Sequence, residues 1–310
     1  MTMAPLPPHA CDCHVHVVAP LADHPMVADR HYTPGPACVQ ALRAHLQRLG
    51  LAHAVIVQPS IYGNDNRLLV DSLQTLNGSA RGIAVVDDAV TDAELVRLHD
   101  AGVRGLRINL ESTGASDAST VSRALSTWAG RLAGQRWHIQ VYASLDAIAS
   151  ASPTLARLPV PVVLDHFAMI PAHLPLADPR VQRVLALVGD GSAYIKLSAS
   201  YRVATDPDDV DQASKLATLA QAIVERNPER ALWASDWPHT NREPGKRPTE
   251  ISGYRDVPAA RLLTELNAWM RDVELRKQVL AVNPARLYGF QAQLATAAPR
   301  LQDLPGAQAR

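Results

Sequence analysis

Apolar strand-like runs alternate with amphipathic helical patterns almost from end to end of the chain. The strand runs are residues 11–18, 54–58, 82–86, 102–109, 137–142, 160–165, 193–199 and 231–235. The helical patterns fall at 39–49, 66–76, 92–100, 118–132, 179–188, 207–226 and 258–280. Such alternation predicts βαβ units around a parallel sheet. Eight strand runs favour an α/β fold closed into a single-domain (β/α)8 TIM barrel. An open doubly wound sheet would usually carry a Gly-rich phosphate loop after its first strand; here that strand ends in His14-Val15-His16. Pro and Gly collect in loops, as at Thr33-Pro34-Gly35-Pro36 and Glu243-Pro244-Gly245, and no Gly-, Pro- or Ser-rich linker divides the chain. The expected organisation is a short tail over 1–8, the barrel over 9–290 and an Ala- and Gln-rich tail over 291–310.

Composition narrows the partners. At 310 residues, 47% hydrophobic and 19% charged, the chain can bury one large core. Lys+Arg and Asp+Glu balance at 30 each. Neutrality leaves no basic footprint for nucleic acid and no polybasic face for a membrane surface. No stretch approaches the ~18 apolar residues of a membrane span, and the first residues lack the pattern of a secretory signal. Three cysteines, Cys11, Cys13 and Cys38, are too few and odd in number for a disulfide framework. The expectation is a soluble cytoplasmic protein, monomer or homo-oligomer, that handles a small molecule.

Three strand ends carry the chemistry. In Asp12-Cys13-His14-Val15-His16, strict alternation puts Asp12, His14 and His16 on one face and Cys11, Cys13, Val15 and Val17 on the other. The polar set is expected to point into the barrel toward its C-terminal mouth, where barrel chemistry sits. Two imidazoles so placed can converge on one metal or one carbonyl; the plain alternative is a pair of hydrogen-bonded core histidines. The run Val162-Val163-Leu164-Asp165-His166 delivers an Asp-His pair, and Ser235-Asp236-Trp237-Pro238-His239 delivers Asp236 where the last strand breaks. Either aspartate alone reads equally as a cap or turn residue. Together they gather three histidines and an aspartate at one predicted mouth.

With these motifs the chain resembles the amidohydrolase superfamily, amidohydrolase-related family 2, and within it the lactonases of the 2-pyrone-4,6-dicarboxylate hydrolase type. Further matching segments are Tyr32-Thr33-Pro34, Gly63-Asn64-Asp65-Asn66-Arg67, residues 102–109 and Asn283-Pro284-Ala285-Arg286-Leu287-Tyr288, so the likeness runs from Asp12 to Tyr288. Metal-dependent members usually add a histidine at the end of the fifth strand. Here Trp137-His138-Ile139-Gln140-Val141-Tyr142 places Tyr142 there, and His138 lies roughly 13 Å deeper at strand rise. The resemblance therefore implies a metal-independent hydrolase with no cofactor; zinc on His14, His16, His166 and Asp236 is the rival reading.

The expected reaction is opening of an anionic lactone. Asp236 would act as general base on water, with His14, His16 and His166 donating to the developing oxyanion. Arg107, on the inward face of its strand, is a natural carboxylate fork; a structural ion pair is its plain alternative. By resemblance, Arg107, Tyr142 and Arg202 match carboxylate-binding positions, Tyr32 and Ser60 lie near a second carboxylate, and His239 lines the mouth. The family's second arginine, six residues after Arg107, is replaced by Thr113. That departure widens the substrate from the pyrone dicarboxylate to sulfomuconolactone-like or sugar-acid lactones. Lys196 reads as a barrel-core lysine paired with an acid. A metal-dependent hydrolase or decarboxylase, and a barrel that binds a small acid without turnover, are the competing readings.

Overall fold

The structure, a computed structural model, describes residues 6–109, 118–206 and 209–290. The tail at 291–310 and Thr113 lie outside the described residues. Eight parallel strands pair in sequence order: β1 Cys11–Val15, β2 His53–Val57, β3 Ala80–Ala84, β4 Val103–Asn109, β5 His138–Tyr142, β6 Val162–Leu164, β7 Ala193–Leu197 and β8 Ala231–Trp233. A helix follows each: α1 Val39–Leu49, α2 Arg67–Leu76, α3 Asp92–Asp100, α4 Ala118–Leu132, α5 Leu145–Leu155, α6 Pro179–Gly189, α7 Val210–Arg226 and α8 Ala259–Trp269. The chain is a (β/α)8 barrel. β8 returns to β1 through backbone bonds from His16 N to Trp237 O (2.8 Å) and from Asp236 N to His14 O (3.0 Å).

Alternation along each strand builds two cores. Ile56, Leu106, Ile139, Val162, Ile195 and Trp233 pack outward against helix residues such as Leu42, Leu95, Ile148 and Leu266. Cys11, Cys13, Val55, Val57, Ile83, Val163 and Leu232 pack inward over Tyr288 and Phe290, which close the barrel floor.

The first strand corrects the alternation expected from sequence. Cys11 and Cys13 belong to the interior cluster, whereas Asp12 lies on the helix side and meets His45 Nε2 of α1 at 3.4 Å. The register of β1 against β2 shifts between Asp12 and Val15. Such an irregularity turns the pattern over, so His14 and His16 still reach the interior although Asp12 does not join them. The buried Asp12 carboxylate instead stitches the closing seam. It accepts from the Ser235 backbone N–H at 2.9 Å, from the Ser235 hydroxyl and from the His14 N–H at 3.3 Å.

Two helices also differ from expectation. α5 carries Ala-Ser-Ala-Ser-Pro153 in place of a strong apolar stripe; it is started by Ser144, whose hydroxyl accepts from Ala147 N–H. The single helix expected over 258–280 ends at Trp269, and Asp272 caps a fresh start at Val273.

Asp12→Ala should strip the seam of a buried acceptor and leave Ser235 N–H without its partner. A loss of about 1–3 kcal/mol is expected, read as a lower urea midpoint at unchanged slope; an unchanged midpoint would remove Asp12 from the seam.

Candidate active site

The C-terminal strand ends deliver the expected side chains to one place. His14 comes from β1, His16 from just beyond it, His166 follows β6, and Asp236 follows β8. Asp236 Oδ1 lies 3.7 Å from His14 Nε2, 3.6 Å from His16 Nε2 and 3.9 Å from His166 Nε2. All four residues are buried. Among the described residues Oδ1 and His14 Nε2 have no hydrogen-bond partner, which is costly for buried polar atoms.

The other Asp236 oxygen is fully engaged. Tyr201 OH donates to Oδ2 at 2.8 Å, and Arg202 Nε donates to it at 2.8 Å. Burial alone would raise this carboxyl, but Arg202, His166 and the neighbouring histidines hold it well below the usual range. Burial likewise lowers His14 far below 6.5, with Lys196 adding to the effect. It lowers His166 to about 3.

Beneath the histidines lies a second buried carboxylate. Asp165, the residue preceding His166, accepts from Gln140 Nε2 at 3.0 Å and lies 3.3 Å from Lys196 Nζ and 3.2 Å from His14 Nδ1. Lys196 also donates to Gln140 Oε1 at 2.7 Å. The lysine thus has the acidic partner expected of it. His16 Nδ1 lies 2.7 Å from Val57 O, and His166 Nδ1 lies 2.9 Å from Ser198 Oγ.

A pocket of about 300 Å³ opens above this cluster, lined by His16, His166, Tyr32, Ser60, Arg107 and Tyr142 among others. Arg107 is almost fully buried, sits over the Tyr142 ring at 5.2 Å and reaches Asp165 only at 3.7 Å. Arg202 also borders the pocket, but its fork is committed to Asp236 and to Thr240 Oγ1 at 3.0 Å. His239 is buried against Tyr201 and is not among the lining residues. Tyr201, His31, Thr240 and Arg242 also belong to the site or its rim. Sequence reasoning missed them because they stand in loops or in the one-turn helix Ser200–Val203, where no periodicity marks a face.

The fit to a metal can be judged from the donors. Ligand atoms of His14, His166 and Asp236 lie within 4.8 Å of one another; His16, expected as a fourth ligand, falls outside that set. Three protein ligands with an open position suit a catalytic zinc. Against it, the Arg202 guanidinium sits on Asp236 and the Lys196 ammonium stands 3.3 Å from His14 Nδ1; both repel a divalent cation.

A TIM barrel with an ionised carboxylate and imidazoles under a cationic pocket is the frame of a hydrolase for a small polar molecule. The chain belongs to the amidohydrolase family, whose model matches residues 11–290. It is 32% identical over 290 residues to a 2-pyrone-4,6-dicarboxylate hydrolase of Comamonas testosteroni, covering 91% of each chain. It is 30% identical to a 4-sulfomuconolactone hydrolase of Rhizobium radiobacter, over 92% of this chain and 91% of that one. Among solved structures, a Pseudomonas putida protein proposed to be a 2-pyrone-4,6-dicarboxylic acid hydrolase superposes with a TM-score of 0.76 at 29% identity, covering 91% of this chain and 98% of that one.

The site makes stability acid-sensitive. His166, lowered by burial to about 3 in the fold against 6.5 for an ordinary histidine, stays neutral while its unfolded counterpart takes a proton. The unfolded state then binds more protons between these values, so stability falls as pH drops from 6.5 toward 3. The low carboxyls of Asp165 and Asp236 add a further loss below about 4. Melting temperatures measured from neutral pH downward should decline across this window, and a flat profile would contradict the buried neutral histidine.

Proposed function

We propose that this amidohydrolase-family enzyme is a metal-independent lactonase that opens a carboxylated or otherwise anionic lactone. The observation that carries the reading is the division of labour on Asp236: Oδ2 is locked by Tyr201 and Arg202, while Oδ1 is unpaired and faces the histidines. The lactone-hydrolysing relatives support the substrate class. Metal independence is supported by the two cations beside the donor set and by Tyr142 at the end of the fifth strand.

The ring carbonyl enters the pocket over His16 and His166. Asp236 Oδ1, ionised at neutral pH, takes a proton from the water that attacks it, and histidine N–H groups receive the charge that develops on the carbonyl oxygen. Asp236 then returns the proton to the leaving ring oxygen. Arg107, which among the described residues meets an acid only in Asp165 at 3.7 Å, holds the substrate anion with Tyr142, Tyr32 and Ser60 around it. Arg202 acts on Asp236 more than on substrate. The reading spans 2-pyrone-4,6-dicarboxylate-like, sulfomuconolactone-like and sugar-acid lactones.

A lactone panel read with a pH indicator identifies the substrate. On the best lactone, Asp236→Asn should lower kcat by about a hundredfold or more while binding remains measurable by calorimetry; an active Asp236→Asn variant rules out the base. Arg107→Leu should raise KM by about ten- to a hundredfold, the loss of a charged hydrogen bond; an unaltered KM returns Arg107 to the barrel wall.

The cluster of His14, His166 and Asp236 favours one rival, a zinc hydrolase. Bound zinc would polarise a carbonyl or a water. Elemental analysis and a chelator titration separate the two: stoichiometric zinc with chelator-sensitive turnover replaces the metal-free reading.

A further inference from the structure

The three histidines facing Asp236 are not interchangeable, because the proton each ring carries is fixed by what its Nδ1 touches. His16 Nδ1 lies 2.7 Å from the Val57 carbonyl, which can only accept. The proton of a neutral His16 ring is therefore on Nδ1, and Nε2 presents a lone pair. His166 Nδ1 meets the Ser198 hydroxyl, which can donate or accept.

His14 Nδ1 sits between a carboxylate and an ammonium: Asp165 Oδ1 at 3.2 Å and Lys196 Nζ at 3.3 Å. Counting protons decides between them. Lys196 is fully buried beside the Asp165 carboxylate, so its three protons are to be placed on neighbouring acceptors. Its polar neighbours are Gln140 Oε1 at 2.7 Å, Asp165 Oδ1 at 3.3 Å and His14 Nδ1. If Nδ1 carried the ring proton, the ammonium would lose its third acceptor and two donors would face each other. With a lone pair on Nδ1 all three are placed, and Asp165 keeps Lys196, Gln140 and the more distant Arg107.

A second observation points the same way. His14 Nε2 and Asp236 Oδ1 are both buried, both without a partner, and 3.7 Å apart. His16 Nε2 already turns a lone pair toward the same oxygen at 3.6 Å, so an N–H on His14 Nε2 gives the buried carboxylate oxygen the attraction it otherwise lacks; below, the bare Nδ1 and Asp165 Oδ1, 3.2 Å apart, are bridged by Lys196 Nζ, 3.3 Å from each.

We infer that Lys196 is a positioning residue that fixes His14 as the Nε2–H tautomer, which makes His14 the built-in hydrogen-bond donor of the site. The inference rests on the lactonase reading only for the donor's task, which is to meet the carbonyl oxygen as it becomes an oxyanion. It also bears on the zinc rival, since a ring protonated at Nε2 offers no lone pair there to a metal.

The test is long-range 1H–15N correlation on 15N-histidine-labelled, lactone-free full-length protein at neutral pH, with His14 assigned by the signal lost in His14→Gln. The expected spectrum shows a protonated Nε2 and a bare Nδ1. In Lys196→Met the proton should move to Nδ1, toward Asp165, and kcat on the identified lactone should fall about a hundredfold, the usual loss of an oxyanion donor, with KM near its original value. A wild-type ring protonated at Nδ1 or at both nitrogens overturns the inference, as does Lys196→Met leaving tautomer and kcat unchanged. The wild-type spectrum alone decides if that variant fails to fold. Because no lactone is present, the spectrum stands apart from failure of the substrate assignment.

Discussion

The Asp165 carboxylate is the charge on which the barrel interior depends. It lies fully buried where β6 ends, with Lys196, His14, Gln140 and Arg107 arranged around it. An ammonium in an apolar barrel is tolerable only with such a partner, and removing one member of a buried pair costs about 3–5 kcal/mol. The same carboxylate indirectly orders the floor of the site. It holds Lys196 against His14, and the chain that places it places His166 one residue later. The ion pair and the histidine–Asp236 cluster are thus one unit, with the ionic part below and the pocket-facing part above.

Asp236 shows how the upper layer uses that support. A carboxylate with both oxygens satisfied would be inert, and one with both free would be expensive to bury. Tyr201 and Arg202 satisfy Oδ2 and keep the group ionised, which leaves Oδ1 for chemistry. Arg202 is therefore committed to Asp236, whereas Arg107 approaches Asp165 at 3.7 Å and lines the pocket. Pairing an arginine with Asp236 also disfavours a divalent cation, so one contact bears on protonation state and metal preference together.

Much of this was legible in the sequence because strand ends in a βα alternation are predictable places. His166 and Asp236 each follow an apolar run, His14 stands in an alternating one, and the helices with clear stripes, such as α1 and α2, fell where expected. α5 was missed because its small residues and Pro153 give no strong face. The face of Asp12 was misjudged because alternation assumes an unbroken register, and the shift in β1 between Asp12 and Val15 reverses it. Nothing in the local pattern announces that slip; it is enforced by the seam, where Asp12 must meet Ser235 across the closing strands. Tyr201 and Thr240 were invisible for a related reason: their contacts to Asp236 and Arg202 are made by loop geometry.

Backbone strain concentrates where the chemistry is. His166, Phe167, Ala168 and Met169 run consecutively at φ values of 47–55°, and Asp236 stands at φ 62°. For residues with a Cβ this region costs roughly 1–2 kcal/mol each, and glycine would relieve it. At three of these positions, His166, Phe167 and Asp236, the side chain makes a contact that glycine cannot. His166 and Asp236 face each other at 3.9 Å, and Phe167 anchors the turn by packing edge-on against Trp269 of α8 at 5.1 Å. A turn held from outside by an aromatic contact can present its histidine in a fixed direction. That fixity matters for hydrogen bonds aimed at a charge that develops only during reaction, because donors already in place need no reorganisation. The strain is thus offset by packing on the helix side of the wall and expressed on the pocket side.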